Sequence, residues 1–88
     1  MNYLHYEIEA EGSDTIEVLL SGAANVQLLD DANFALYREG KQFHYFGGLA
    51  RTSPFTLKAP RSGHWHIVID LGGSPGQVRA AIKVLQAA

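Results

Sequence analysis

The run Ser62-Gly63-His64-Trp65-His66-Ile67-Val68-Ile69-Asp70-Leu71-Gly72-Gly73 restricts the fold of this chain more than any other stretch. Side chains on a strand alternate between two faces. Trp65, Ile67, Ile69 and Leu71 therefore share one face, and His64, His66, Val68 and Asp70 share the other. The first set is wholly apolar and suits a buried sheet face; the second is mixed and is expected to meet water or a ligand. A helix would scatter the four apolar residues around its axis, and glycines stand at both ends of the run. The stretch is read as a central strand, with the other segments packed beside it.

Residues 3–9 alternate in the same way, Leu4, Tyr6 and Ile8 against Tyr3, His5, Glu7 and Glu9, which predicts a half-buried strand with an acidic outer side. Glu11-Gly12-Ser13-Asp14 reads as a turn in which Gly12 supplies a positive φ. Residues 15–20 form a strand with Ile16, Val18 and Leu20 inward, and residues 25–29 another with Val26 and Leu28 on one face. Asp30 or Asp31 is placed to cap a short helix carrying Phe34 and Tyr37 on one side and ending at Gly40. An irregular loop pinned by the same two aromatics is the alternative. Residues 41–48 read as a strand whose Gly47-Gly48 pair marks a bulge or corner. Phe55, Leu57 and Ala59 give a short strand behind Pro54, and residues 72–76 a turn. Residues 77–85 read as a last strand with Val78, Ala80, Ile82 and Val84 inward; because Ala and Gln favour helix, a helix is the alternative there. The pattern predicts an all-β fold: a small antiparallel, jelly-roll-like β-sandwich of about seven strands with one short helical excursion.

A chain of 88 residues has room for one core, so residues 1–88 are expected to form a single domain. Hydrophobic residues at 47% against charged residues at 18% exclude intrinsic disorder. The absence of cysteine excludes disulfides, thiolate catalysis, iron–sulfur clusters and Cys-type zinc sites. It also fits a reducing cytoplasm. The start Met1-Asn2-Tyr3-Leu4-His5-Tyr6 lacks the basic-then-apolar build of a signal peptide. No apolar run approaches the ~20 residues that span a bilayer. A cytoplasmic protein with no membrane partner is expected.

Charge is unevenly spread. Residues 1–37 hold seven acidic side chains and no Lys or Arg, whereas residues 38–88 hold seven basic ones against Glu39 and Asp70. Three readings fit: an anion-binding face, head-to-tail association of like chains, or complementary strands within one sheet.

Two constellations merit chemical attention. His64 and His66 project from one face of a strand, a spacing that lets two imidazoles reach one metal ion. A third ligand would come from His5, Glu7 or His44, provided their strands are neighbours on that face. Local hydrogen bonding of sheet histidines is the plainer reading. The second constellation is the basic, aromatic middle of the chain, from which Lys41, His44, Tyr45, Arg51 and Arg61 are the candidate ligand-binding residues. They suit a small anionic or sugar-like ligand or an acidic protein surface, against a plainer reading as solvated loops. The acidic total and the lack of an RNA-binding aromatic motif speak against nucleic acid. No catalytic residue emerges. Ser62, His64 and Asp70 have the residue types of a triad, but His64 and Asp70 lie about 20 Å apart on an extended strand. Phosphate-loop and nucleophile-elbow motifs are missing, and no cofactor is expected.

Several segments together resemble one family: Asn25-Val26-x-Leu28-Leu29-Asp30, Asn33-Phe34-x-x-Tyr37-x-x-Gly40, Tyr45-Phe46-Gly47-Gly48, Ser53-Pro54 and Ser62-Gly63-His64-Trp65-His66-x-Val68-x-Asp70-Leu71-Gly72-Gly73. The chain is similar along nearly its whole length to the bacterial domain-of-unknown-function family 1883. The resemblance implies a small β-sandwich, found alone or joined to signalling domains such as TIR modules. It implies no activity, ligand or catalytic residue. The leading functional expectation is a non-catalytic binding module. A small metal-dependent enzyme using His64 and His66, or a structural homo-oligomer, are the alternatives.

Overall fold

Seven strands and one helix make up the computed structural model, which describes residues 3–87. They follow the order β1 Leu4–Ala10, β2 Thr15–Leu20, β3 Ala24–Leu29, α1 Asp31–Arg38, β4 Phe46–Ala50, β5 Phe55–Lys58, β6 Gly63–Asp70 and β7 Ala80–Leu85. One sheet has the order β1-β6-β3-β4 and the other β5-β2-β7, and the strand pairs are antiparallel. The fold is a small all-β sandwich. β6 lies between β1 and β3, the crossover arrangement of Greek-key sandwiches.

The apolar alternation read from the sequence builds the core. Trp65, Ile67 and Ile69 of β6 meet Val26 and Leu28 of β3 and Ile16 and Val18 of β2, all at 0–1% exposure. Antiparallel register sets Leu4, Tyr6 and Ile8 of β1 opposite Ile69, Ile67 and Trp65. The indole finds a partner for its one polar atom, since Trp65 Nε1 donates to the Arg61 carbonyl at 3.1 Å. The two sheets also meet at one side, where Tyr6 of β1 donates to the Ala80 carbonyl of β7 at 3.2 Å.

The opposite face of β6 departs from expectation. His66, Val68 and Asp70 do not meet water; they are buried. The cause is α1, which lies over this face and closes a second apolar cluster of Leu29, Phe34 and Val68, flanked by Tyr37 and Phe43. Only His64 of the four remains half exposed. Asp30 caps the helix: its carboxylate accepts from the Asn33 backbone N–H at 2.8 Å. Gly40 follows the helix end with a φ of 74°.

Three local readings are corrected. Residues 41–45 are irregular and only 46–50 form strand, because Phe43 turns onto Tyr37 and the His44 N–H is taken by the Asn33 side chain at 2.8 Å. Gly47 and Gly48 lie inside β4, opposite Gln27 and Val26, and do not mark its end. The positive φ of the first turn falls on Ser13, at 74°, instead of Gly12. Residues 80–85 are strand, so the helical alternative is set aside.

A histidine–carboxylate cluster and an end cleft

The β1–β6 register decides what surrounds the histidines. It sets Glu7 opposite His66, Glu9 opposite His64 and His5 opposite Val68. His5, Glu7 and Glu9 therefore stand on the same sheet face as His64 and His66. His64 lies between two carboxylates: Nδ1 is 2.6 Å from Glu9 Oε1 and Nε2 is 2.9 Å from Glu7 Oε1. His66 is held on both sides as well, with Nε2 2.6 Å from Asp31 Oδ1 and Nδ1 2.8 Å from His5 Nε2. The Phe34 ring stacks on His5 at 4.2 Å and on His66 at 4.3 Å, roofing the pair.

These contacts shift the titration of the cluster's groups in different directions. The Glu9 and then the Glu7 hydrogen bond raise the His64 pKa above the usual histidine value. The same contact to His64 lowers that of Glu7. Loss of hydration lowers the His5 pKa, and the nearby His66 adds to the effect. The cluster thus favours the protonated form of His64 and disfavours that of His5.

The structure brings together three of the four histidines considered as metal ligands: His5, His64 and His66. His44 is exposed on the irregular segment after α1 and does not join them. Among the described residues, Glu7, His64 and His66 each offer a ligand atom, all lying within 4.8 Å of one another. The roles of Glu9 and Asp31 escaped the sequence reading. The alternation of β1 carried a signal for Glu9, which falls on the face of His5 and Glu7. Asp31 is placed by the packing of α1 alone.

The basic and aromatic candidates form no comparable assembly. Lys41 pairs with Glu39 at 3.0 Å. Arg61 pairs with Asp30 at 3.0 Å and lies over the Trp65 ring at 4.7 Å. Tyr45 packs on Phe43, and Arg51 is exposed between β4 and β5. None of these, nor His44, lines the cleft at the end of the sandwich.

That cleft, about 790 Å³, opens at one end of the sandwich, where residues 71–79 cross from β6 to β7. Tyr3, Leu4, Ile69, Leu71 and Val78 give it apolar walls, and Arg79 lines it too. At its base, Asp70 accepts from Asn25 at 3.0 Å, the Gly72 N–H at 2.9 Å and Tyr37 at 3.4 Å. Burial and the Asp70 charge push the Tyr37 hydroxyl up to about 12, so it stays a donor. The glycine- and proline-rich turn of residues 72–76 is thus a wall of the cleft.

An all-β sandwich with a histidine–carboxylate cluster on one sheet face and an apolar cleft at one end defines the class. The chain belongs to the domain of unknown function family DUF1883, whose profile matches residues 1–88. No curated protein and no solved structure matches it significantly. No helix among the described residues is long and apolar enough to cross a membrane.

Proposed function

We propose that the protein is a non-catalytic binding module whose end cleft takes a small molecule with an apolar body and one anionic group. The cleft is the observation that carries this reading. Its size falls within the ~300–1,000 Å³ of small-molecule sites, and its walls are mainly apolar with few polar groups. The anionic group is assigned to Arg79, the only basic residue lining it and one without an ion pair among the described residues. Asp70 is already occupied by three donors and serves to fix the base.

Calorimetric titration with octanoate and with octanol tests the reading. Octanoate is expected to bind more tightly than octanol, and Arg79→Gln to weaken octanoate by about tenfold or more, the size of one charge-assisted hydrogen bond. No binding of either compound, or equal binding by the variant, overturns it. Self-association is a second reading with one feature in its favour: outer strand β4 exposes Phe46 and Leu49. Sedimentation at rising concentration tests it, and a single monomeric species throughout rules it out.

A further inference from the structure

The histidine cluster has an order that hydrogen bonding among sheet residues does not require. Each central imidazole has one nitrogen on an outer carboxylate: His66 Nε2 on Asp31 and His64 Nδ1 on Glu9, both at 2.6 Å. The opposite nitrogens then meet other members of the cluster, His66 Nδ1 the His5 ring and His64 Nε2 the Glu7 carboxylate. A carboxylate holding one imidazole nitrogen is the support by which proteins orient metal-binding histidines. His64 Nε2 and the Glu7 carboxylate face each other at 2.9 Å.

We propose that Glu7, His64 and His66 bind one divalent transition-metal ion of the zinc class, with Glu9 and Asp31 as positioning residues. Two imidazole nitrogens and one carboxylate oxygen match zinc and its neighbours, whereas calcium and magnesium take oxygen ligands. The three ligand atoms lie within 4.8 Å of one another. Ligand bonds of about 2.0–2.2 Å draw such atoms closer together. The side chains that move are Glu7 and His64, 55% and 36% exposed. His66 is the fixed ligand, held beneath Phe34 and α1. Three protein ligands leave a fourth position for water, and the exposed edge strand β1 admits solvent there. The site is separate from the end cleft, whose lining contains none of these residues.

The test uses the full chain without a histidine tag, stripped with a chelator and titrated with cobalt(II) and zinc(II) chlorides. Saturation at one ion per chain is expected, with the visible absorption of four-coordinate cobalt that zinc then abolishes. The thermal midpoint should rise with zinc concentration. His64→Ala should abolish the cobalt band, and Glu9→Gln should weaken affinity by about 10–100-fold. His44→Ala, outside the cluster, should bind like the parent. Circular dichroism checks the fold of each variant. Should His64→Ala fail to fold, Glu7→Gln, altered at an exposed side chain, carries the same expectation. Absence of saturable binding, or binding by folded His64→Ala or Glu7→Gln equal to the parent, overturns the proposal and leaves His64 as a hydrogen-bonded imidazole between two carboxylates.

Discussion

At Gly47 the backbone leaves no space for a side chain. Its φ is 118°, and a Cβ there would stand 2.2 Å from the Val26 carbonyl oxygen. Gly47→Ala is expected to lower stability by about 2 kcal/mol or more, through strain and displacement of β3. Gly22→Ala, where a Cβ meets open space, is expected to change it by no more than about 0.5 kcal/mol. Urea denaturation of both variants checks the contrast, and equal effects would contradict the β3–β4 register. Trp65 is the other decisive residue; truncation to Ala should remove about 3–5 kcal/mol. Its interior position was legible because period two put it in line with Ile67 and Ile69. The burial of His66 was not legible. Nothing within β6 records that Phe34, from another element, covers that ring.

Among the elements, α1 shows most clearly what local signals settle and what they leave open. Asp30, Phe34, Tyr37 and Gly40 all stand where the sequence placed them for a helix, yet the same residues fit a pinned loop. Closure of Phe34 over Leu29 and Val68 decides between the two. Asp30→Ala should lower stability by about 1 kcal/mol through loss of the cap. The Asn33 backbone N–H, with help from Arg61, holds the Asp30 carboxyl below the usual carboxylate range. A depressed carboxyl adds stability above its unfolded pKa of about 3.9, and that contribution disappears as pH falls through the folded value. Asp30→Asn keeps a capping oxygen but cannot titrate. Its deficit in thermal midpoint should therefore be present at neutral pH and shrink below about pH 4; a gap constant across that range would refute the assignment. The segment 41–45 misled the sequence reading for a related reason. Its alternating aromatics suit a strand, but Phe43 reaches the helix instead of a sheet neighbour.

Over the whole molecule, long-range pairing creates both candidate sites. His64 and Glu7 are 57 positions apart and meet only because β6 inserts beside β1. The outward set on each strand was legible; which strands are neighbours was not. Register also answers part of the charge asymmetry: Glu17 on β2 lies opposite Lys83 on β7, as complementary strands require. The acidic side of β1 meets histidines instead. The end cleft depends on how residues 71–79 pass between the sheets, and glycine and proline there announced a turn without giving its path. At this scale Tyr6 is informative, since its hydroxyl joins β1 to β7. Tyr6→Phe should cost about 0.5–1.5 kcal/mol in chemical denaturation while leaving the circular dichroism spectrum unchanged.

Phe34 lies nearly parallel to His5 and His66, with interplanar angles of 19° and 8°. Aromatic ring currents shield nuclei above the ring plane, so the carbon-bound imidazole protons of these two residues should resonate upfield of those of His44. An unlabelled sample thus contains its own magnetic gauge: proton spectra report whether the phenyl roof is seated over the two imidazoles.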